Sequence, residues 1–386
     1  MKRILSIFGT RPEAIKMAPV VKAIEASSKL ESIVAVTAQH RQMLDQVLDL
    51  FEIRPDFDLD IMSPNQDLFD ITSRVLLGIR DVIQQAKPDL VLVHGDTTTC
   101  FAAALAAFYS HVPVAHVEAG LRTGDLQAPF PEEANRSLVA RIASLHFAPT
   151  ETARQNLLKE GVSDDRIMVT GNTVIDALLI ARSHLADYGQ EHWKNQLGEE
   201  IYRRISQRQG KMILITGHRR ENFGQGFLDF CTAISNLAER YPDWLSVYPV
   251  HLNPNVQKPV KELLSLNANV LLTTPADYLP FVWLMNECDL VLTDSGGIQE
   301  EAPSLGKPVI VTRNVTERPE AVDAGTVVLV GTDRDLIEKT VSKILTDEQT
   351  YQAMSRAHNP YGDGTTASTI VLKLTAAFAS LESTDR

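Results

Sequence analysis

A chain of 386 residues is longer than most single domains and fits two domains. Apolar residues make up 44% and charged residues 22%, which is the composition of an ordinary globular protein. Because the net charge is −12, the surface as a whole repels nucleic acids and anionic membranes, and neither is an expected partner. An anionic substrate must therefore bind to locally placed Arg and Lys side chains and to helix N-termini.

The cysteines and the apolar runs predict a cytoplasmic protein. Cys100, Cys231 and Cys288 are isolated, without the CxxC spacing of a zinc site or a redox motif. The apolar run at 4–8 is too short for a signal peptide, and the run at 100–109 is far shorter than the ~18 residues of a membrane span. We therefore expect the chain to stay in a reducing cytosol.

Short β-branched runs alternate with longer amphipathic segments along the first half of the chain. The spacing of the apolar residues from Leu68 to Ile83 predicts one amphipathic crossover helix. Alternation of strands and helices indicates a parallel sheet with right-handed crossovers. The predicted strands of this half are 3–8, 33–37, 89–94, 113–117, 145–148 and 167–170.

The pattern stops and then starts again in the second half. Residues 184–210 are polar and charged with few apolar anchors, and a new series of strands follows them. The predicted fold class is α/β, with two Rossmann-like domains whose parallel sheets face a cleft. We place the domains at 1–172 and 173–365, and we expect a C-terminal helix over 366–386 that is able to pack back on the first domain. The predicted strands of this half are 212–216, 245–250, 270–273, 290–293, 309–311 and 327–329.

Unusual polar clusters follow five of these strands. Parallel sheets bind ligands at the carboxyl ends of their strands, so these clusters are candidates for the functional site. Because the clusters come from both halves, we expect the site in the cleft between the domains. The clusters are Gly-Thr-Arg-Pro-Glu at 9–13, His-Gly-Asp at 94–96, His-Val-Glu at 116–118, Gly-His-Arg-Arg at 217–220 and Asp-Ser-Gly-Gly at 294–297.

The last cluster has the pattern of a phosphate-binding turn. Gly296 and Gly297 allow close approach of the backbone, and the helix that they open offers free N–H groups to a phosphate. Glu301 in the same short helix is placed to hold ribose hydroxyls. A plain turn with Ser295 as the N-cap explains the spacing as well, and both interpretations stay open.

The first cluster also follows a strand, and Pro12 stands where a first helical turn tolerates proline. Arg11 and Lys16 carry charge that suits a diphosphate; the alternative is a capped turn with two solvated cations. Neither this turn nor Gly-Gln-Gly at 224–226 matches the GxGxxG fingerprint of a dinucleotide site. We therefore expect no NAD and no other cofactor.

Three carboxylates, Asp96, Glu118 and Glu132, are candidate catalytic residues. The first two end neighbouring strands, and the third opens a helix after a Pro-Phe-Pro turn. A single one would usually be a cap or a salt-bridge partner, whereas three together can supply a general acid and a general base on opposite faces of a substrate. His94 and His116, each two residues before a carboxylate, have spacing that a metal can also use, but no HExxH-type motif is present and no metal is expected.

Imidazole and guanidinium groups follow the first strands of the second half. His218 is either a ligand of a phosphate or leaving group or a buried structural histidine, and the adjacent Arg219 and Arg220 favour the first role. His251, after the strand at 245–250, leaves the two roles equally open.

Together, eight motifs closely resemble those of the bacterial non-hydrolysing UDP-N-acetylglucosamine 2-epimerases. Each motif alone is weak, but the set is highly specific and spans nearly the whole chain. The motifs are FGTRPE at 8–13, TAQHR at 37–41, VHGDTTT at 93–99, HVEAGLRT at 116–123, PEEANR at 131–136, TGHRRE at 216–221, TDSGG at 293–297 and ERPE at 317–320.

The resemblance implies a glycosyltransferase type B-like fold, a homodimer and reversible conversion of UDP-GlcNAc into UDP-ManNAc. It implies anti-elimination of UDP to 2-acetamidoglucal and re-addition with a proton delivered to the other face of C2, supplying ManNAc-derived sugars for cell-surface polysaccharide. The implied catalytic residues are Asp96, Glu118, Glu132 and His218. The implied UDP-sugar ligands are Arg11, Lys16, Asp96, Glu118, His218, Ala276, Phe281, Ser295, Gly296, Gly297, Glu301 and Arg318.

Two further expectations come with the resemblance. Ala276 stands where members of the family have glutamine, so any contact with uracil there is left to the backbone. Bacterial members also bind UDP-GlcNAc at a second, activating position beside the catalytic cleft. The candidates to line that position are Gln39, His40, Gln42, Arg219 and His251.

Three rival interpretations share parts of the pattern. A UDP-sugar glycosyltransferase has the same fold and nucleotide site, but it has no use for three carboxylates around the sugar. A non-catalytic sensor of UDP-sugars would dispense with those carboxylates. A hydrolysing relative that releases free ManNAc and UDP is the closest competitor, and the absence of a fused sugar-kinase domain disfavours it.

Overall fold

The computed structural model describes residues 1–38, 41–63 and 66–384, which form two compact units. Unit 1 comprises Met1–Ala177 and Tyr361–Arg386, and unit 2 comprises Leu178–Pro360. The chain enters unit 2 inside one helix, Thr173–His184, and returns to unit 1 at Tyr361. The C-terminal helix is therefore part of unit 1.

Helices and strands alternate through both units. The strands are β1 (Lys2–Phe8), β2 (Leu30–Val36), β3 (Phe57–Asp58), β4 (Leu90–His94), β5 (Val114–Val117), β6 (Leu145–Ala148), β7 (Ile167–Val169), β8 (Met212–Thr216), β9 (Leu245–Pro249), β10 (Val270–Thr273), β11 (Leu290–Thr293), β12 (Val309–Val311) and β13 (Val327–Leu329). The helices are α1 (Arg11–Glu25), α2 (Arg41–Leu50), α3 (Leu68–Ala86), α4 (Thr98–Tyr109), α5 (Glu132–Ile142), α6 (Glu151–Lys159), α7 (Thr173–His184), α8 (Gln190–Leu197), α9 (Glu199–Ser206), α10 (Gln225–Arg240), α11 (Pro254–Leu264), α12 (Tyr278–Glu287), α13 (Gly296–Glu301), α14 (Pro319–Asp323), α15 (Arg334–Thr346), α16 (Glu348–Ser355) and α17 (Thr366–Thr384).

The described residues of unit 1 form one parallel sheet in the order β3-β2-β1-β4-β5-β6-β7. Ile4, Leu5, Ile7 and Phe8 of β1 are fully buried, because a central parallel strand has both faces covered. The strand order reverses between β1 and β4. Ligands of such sheets bind at that point, outside the carboxyl ends of the strands, which is where the segments after β1 and β4 lie.

Local sequence signals set the helices of unit 1. Thr10 and Glu13 form a capping box at the start of α1, and Asp67 and Asp70 form another at the start of α3. The alanine-rich α4 packs on α3, and α17 packs on α1. The predicted amphipathic helix over 68–83 is confirmed as α3.

Unit 2 contains a second parallel sheet, in the order β10-β9-β8-β11-β12-β13 among the described residues. Phe227, Phe230 and Tyr248 are among its largest fully buried side chains. The Tyr248 hydroxyl, at the end of β9, donates to the carbonyl oxygen of Gly217 at 2.8 Å, so the core holds the segment that follows β8.

The predicted strands are confirmed to within three residues at each end, and the α/β class with two parallel sheets is confirmed. The two-residue β3 gives no periodic signal and was not predicted. Residues 184–210, where the sequence pattern stops, contain α8 and α9, and α8 is anchored by the buried Trp193 stacked on Trp283. No helix within 1–38, 41–63 and 66–384 is long and apolar enough to cross a membrane.

Candidate functional site

The segment between β1 and α1 is held by Glu13. Its carboxylate accepts hydrogen bonds from the backbone N–H groups of Gly9 and Thr10, at 3.0 and 2.8 Å, and from the Thr97 hydroxyl at 2.5 Å. Burial raises the pKa of Glu13, and these hydrogen bonds oppose the rise. One buried carboxyl therefore fixes the segments after β1 and β4 against each other.

Arg11 and Lys16, the predicted diphosphate cations, have different surroundings. The half-buried Arg11 side chain makes no hydrogen bond or ion pair with any residue in the described ranges. The Lys16 ammonium lies against the Glu118 carboxylate, and the Lys16 side chain is only 14% exposed. The alternative of two solvated cations is therefore wrong for Lys16.

Glu118 follows β5 and is placed by an unusual backbone and several side chains. Its φ of 61° lies in the left-handed region that a residue with a Cβ seldom adopts. Its Oε2 contacts the Lys16 ammonium and accepts from the Asn172 side-chain nitrogen at 2.9 Å, and the His94 Nε2 is 3.9 Å away. Such an environment favours the ionised carboxylate.

Asp96 follows β4, the strand next to β5, and is paired with Arg136 of α5. Arg136 donates from Nε and Nη2 to the same Asp96 oxygen, Oδ2, at 2.9 and 2.6 Å. Arg136 also pairs with Glu133 at 3.0 Å. Burial alone lowers the pKa of Arg136, but Asp96 and Glu133 raise it, and the net shift is upward. Arg136 therefore stays charged and stabilises the Asp96 carboxylate.

Glu132 opens α5, as the sequence predicts, and it differs from the other two carboxylates. It forms no ion pair with the described residues, and its buried Oε2 has no hydrogen-bond partner among them. The neighbouring Glu133 accepts from the N–H groups of Thr123 and Gly124 at 3.1 and 3.0 Å, which fixes the loop that leads into Glu132. The three candidate carboxylates thus have three different surroundings.

Two buried histidines lie under this cluster. His116 contacts the Gly95 carbonyl oxygen through Nε2 at 2.7 Å, and both ring nitrogens of His94 lack a hydrogen-bond partner among the described residues. Burial lowers the pKa of His94 to about 4 and that of His116 to about 3, so both rings are neutral near pH 7. No group of three or more metal-ligating side chains is present in residues 1–38, 41–63 and 66–384.

In unit 2 the turn after β11 opens α13, as predicted. Ser295 stands at the N-cap position, but its side chain makes no capping hydrogen bond. Ser295 thus has the N-cap position of the plain turn without its capping hydrogen bond, and its hydroxyl is available to a ligand. A Cβ on Gly296 would lie 3.3 Å from the guanidinium carbon of Arg318, so glycine allows that side chain to lie close to the turn.

Arg318 and Glu301 flank this turn. Arg318 is held by Glu300 at 2.8 Å and by Glu317 at 2.8 Å, and its side chain is 15% exposed. Glu301 of α13 is nearly buried and accepts from the Tyr278 hydroxyl at 3.3 Å. Burial, together with Glu301, raises the pKa of Tyr278 well above its usual range, so the phenol stays a donor.

His218 follows β8, and its side chain is 42% exposed, which excludes the buried structural role. Its ring stacks on that of His251, with centroids 5.2 Å apart and an interplanar angle of 12°. Asp294, fully buried at the end of β11, accepts from the backbone N–H groups of His218 and Arg219, both at 2.8 Å. The segments after β8, β9 and β11 therefore meet at His218.

The remaining predicted site residues lie in other segments of the chain. Ala276 lies in the segment after β10, and Phe281 lies in α12. Gln42 lies in α2 rather than in the loop that the sequence predicts, because α2 begins at Arg41. Gln39 and His40 lie outside the described residues.

Several residues that shape these groups were not among the predicted site residues. Arg136 was within reach of sequence reasoning, because it ends the PEEANR motif that contains Glu132. Asn172 was not singled out, and Asp294 was noted only as the first residue of the cluster at 294–297. Their partners lie 54 and about 75 residues away along the chain, so no local signal shows these contacts.

The two parallel sheets with alternating helices, and polar groups at their strand ends, define an α/β protein of the glycosyltransferase type B-like class. A solved glycosyltransferase from Rickettsia africae, 16% identical with a TM-score of 0.62, shares the fold alone. The sequence profile described as UDP-N-acetylglucosamine 2-epimerase matches residues 22–375. The chain belongs to that family, as its motifs predict.

Individual relatives agree with the assignment. The UDP-N-acetylglucosamine 2-epimerase of Escherichia coli (strain K12) is 59% identical over 369 residues, which cover 96% of this chain and 97% of the relative. The structure of the Neisseria meningitidis epimerase bound to UDP-GlcNAc is 50% identical with a TM-score of 0.85, covering 97% of this chain and all of that one. The Methanocaldococcus jannaschii epimerase in complex with UDP-GlcNAc and UDP is 35% identical with a TM-score of 0.76, again covering 97% and 100%. The chain is therefore an isomerase, a sugar-nucleotide 2-epimerase.

Proposed function

We propose that the chain interconverts UDP-GlcNAc and UDP-ManNAc by anti-elimination of UDP and re-addition to 2-acetamidoglucal. The hydrogen at C2 of a pyranoside has no neighbouring ketone to acidify it, so direct removal is unfavourable. Expulsion of UDP from C1 couples loss of that proton to departure of a good leaving group. The observation that carries the proposal is the set of three carboxylates, Asp96, Glu118 and Glu132, in three different electrostatic environments.

Inversion at C2 needs one group that takes a proton from one face and another that returns a proton to the opposite face. Glu118, beside Lys16 and Asn172, and Asp96, beside Arg136, are stabilised as carboxylates, which suits a base. Glu132 has no such cation, which suits the group that carries the proton. In the reverse direction the roles exchange.

We assign the nucleotide to unit 2 and the departing charge to the cations. Glu301 is placed to hold ribose hydroxyls, and Ser295, with the adjacent turn, to hold phosphate oxygens. Negative charge builds up on UDP as the C1–O bond breaks, and Arg11 and His218 stabilise it. The N. meningitidis and M. jannaschii epimerases, solved with UDP-GlcNAc or with UDP-GlcNAc and UDP, support these ligands.

Isotopic labelling tests the mechanism. In deuterium oxide, turnover should place deuterium at C2 of the product, and a label in the oxygen bridging C1 and the β-phosphate should scramble into non-bridging positions. Exchange at C2 without scrambling would exclude elimination and favour direct deprotonation. Resolution of all products separates the alternatives: free ManNAc with UDP indicates a hydrolysing enzyme, and transfer only to an added acceptor indicates a glycosyltransferase.

Carboxamide variants test the residues. Asp96→Asn, Glu118→Gln and Glu132→Gln should each lower kcat by ~10²–10⁴-fold, the usual contribution of a positioned acid or base. Asp125→Asn is the matched control, because Asp125 is exposed in the loop before α5. Among the described residues its carboxylate accepts only from the Gln127 N–H, which an amide oxygen can also do. This variant should keep wild-type kcat. Full activity in all three site variants would place the chemistry elsewhere.

We also infer a homodimer, from an apolar surface on unit 1. Leu77 of α3 and Phe108 and Tyr109 of α4 are 52–66% exposed, although all three side chains are large and apolar or aromatic. Leu77 and Tyr109 line a groove between the two packed helices. Monomers seldom leave such a surface open to water, and a second copy of the same face would cover it.

Size measurement by light scattering tests the dimer. Tyr109→Glu should convert the protein into a monomer, because a charge in a paired apolar surface is costly. Leu266→Glu is the control, since Leu266 is 91% exposed in unit 2 and makes no part of the groove. A Tyr109→Glu variant that keeps the mass of the wild type would place the interface elsewhere.

As part of the proposed function, the product UDP-ManNAc supplies ManNAc-derived sugars for cell-surface polysaccharide.

A further inference from the structure

The residue beneath His218 is a carboxylate that the reaction scheme above does not use. Asp294 is fully buried, and its Oδ2 accepts from the His218 and Arg219 N–H groups at 2.8 Å each and from the Asn222 side chain at 3.4 Å. Its other oxygen, Oδ1, is buried without a hydrogen-bond partner among the described residues. That oxygen lies 3.5 Å from the His218 Nδ1.

We propose that Asp294 is a positioning residue for the 2-epimerase reaction, which orients the His218 ring and fixes its Nδ1 as the protonated nitrogen. The inference rests on the proposed role of His218 toward the leaving UDP. A rotation of the imidazole that moves Nδ1 by a few tenths of an ångström brings it within hydrogen-bond range of Oδ1. In the imidazolium, which also carries hydrogen on Nε2, the Nε2–H group is then available to donate to the departing phosphate.

The burial of the Asp294 carboxylate next to His218 follows from the groups that it contacts. A buried carboxyl oxygen without a donor is costly, so a partner within 3.5 Å is expected to be drawn to it. Because Oδ2 accepts hydrogen bonds from two backbone N–H groups, the Asp294 side chain cannot rotate without breaking its contacts with the segment after β8. The Tyr248 hydroxyl holds the same segment from the other side, through the Gly217 carbonyl.

The charged and titratable groups that act on His218 have opposite effects. Burial lowers the pKa of His218, Asp294 raises it, and His251 and Arg219 lower it further, with a net shift downward. The stacked His251 uses its Nδ1 to accept from the Asn253 N–H, so its neutral ring carries hydrogen on Nε2. Asp294 therefore opposes the other groups and keeps the imidazolium accessible when UDP departs.

The substitution Asp294→Asn tests this directly. The two backbone donors require the amide oxygen at the Oδ2 position, so the amide NH₂ must face the His218 Nδ1 and make it an acceptor. The imidazolium, which carries hydrogen on both nitrogens, is then disfavoured. We expect kcat to fall by ~10²-fold with little change in KM, because the lost interaction forms as charge develops on UDP.

Titration of the His218 ring by NMR in the full-length protein separates this role from a merely structural one. The resonance is assigned by its loss in His218→Asn. The titration should move to lower pH in Asp294→Asn and to higher pH in His251→Asn, and it should not move in Tyr248→Phe, which loosens the same segment without changing charge.

The possible results of these measurements are distinct. An unchanged His218 titration in Asp294→Asn, or wild-type kcat in that variant, would overturn the proposal. The titration does not depend on turnover, so it tests the Asp294–His218 pair even if His218 proves to have no part in the departure of UDP. If Asp294→Asn fails to fold, the tautomer of the neutral His218 ring in the unchanged protein, read from the same NMR spectra, tests the pair: hydrogen on Nδ1 supports the proposal and hydrogen on Nε2 overturns it.

Discussion

Replacing Asn172 with aspartate changes one hydrogen-bond donor beside Glu118 and little else. The Asn172 side-chain nitrogen donates to the Glu118 carboxylate at 2.9 Å, and its side-chain oxygen accepts from the Val174 N–H, in the first turn of α7, at 3.1 Å. An aspartate has nearly the same shape and keeps the acceptor, so we expect the fold to survive. The donor is replaced by a second negative oxygen facing Glu118.

The expected loss of activity follows from that distance. A hydrogen bond to a charged group contributes ~1.5–3 kcal/mol. Two unit charges 2.9 Å apart repel by ~6 kcal/mol at an effective dielectric constant of 20, although relaxation relieves part of this. Since ~1.4 kcal/mol corresponds to a tenfold change in rate, we expect kcat of Asn172→Asp to fall by at least ~10²-fold at pH 8.

The pH dependence of this loss distinguishes an electrostatic cause from damage to the fold. As the pH falls from 8 to 5.5, the new carboxyl takes up a proton and its O–H can donate to Glu118, so the ratio of variant to wild-type kcat should rise. In Asn172→Ala the donor and the acceptor are both lost, and the ratio should stay constant. Wild-type kcat in Asn172→Asp at pH 8, or a deficit that does not vary with pH, would refute the reasoning.

Three further outcomes follow from the structure. Arg11→Ala should weaken UDP binding by ~1.5–3 kcal/mol in calorimetric titration, because Arg11 has no other partner in the described ranges; unchanged affinity would remove it from the site. Acidification should destabilise the folded state through His94 and His116. A histidine of the unfolded chain takes up a proton near pH 6.5, whereas the buried rings of His94 and His116, with pKa values of about 4 and about 3, do so only at lower pH. The free energy of unfolding by urea should therefore fall by ~2 kcal/mol for each ring between pH 7 and 5, and by less in His116→Asn. If the activating position that the family resemblance implies is present, turnover of pure UDP-ManNAc should start slowly and accelerate on addition of UDP-GlcNAc, and a full initial rate without it would contradict that expectation.

The strands were predictable because central parallel strands are buried on both faces and therefore appear as short β-branched runs. The ends of the central strands β8, β11 and β12 agree with the sequence for this reason. The helices α8 and α9 were not predicted, since their stability depends on a contact that is remote in sequence. Trp193 of α8 stacks on Trp283 of α12, with ring centroids 5.4 Å apart, and no local pattern reveals that pairing.

The candidate site shows the same division between local and remote information. Asp96, Glu118 and His218 were identified because polar residues at the carboxyl ends of parallel strands are unusual. Asn172 was not identified, because it is an ordinary polar residue in the sequence and acquires a role only from the fold. Asp294 was identified only as the first residue of its cluster and not as the neighbour of His218. Sequence reasoning thus named candidate residues at the strand ends but not the contacts that some of them make with residues remote in the sequence.

The backbone at Glu118 offers a last test of how function shapes this fold. A residue with a Cβ at φ 61° is strained by ~1–2 kcal/mol, and glycine is not. Glu118→Ala and Glu118→Gly lose the same carboxylate and leave Lys16 in the same position, so their difference in stability isolates the strain. We expect Glu118→Gly to unfold at higher urea, with a free energy of unfolding ~1 kcal/mol above that of Glu118→Ala. Equal or reversed stabilities would show that the left-handed conformation carries no strain. If the difference is found, the chain tolerates the strain because the position must carry a side chain that reaches Lys16 and Asn172, which glycine cannot supply.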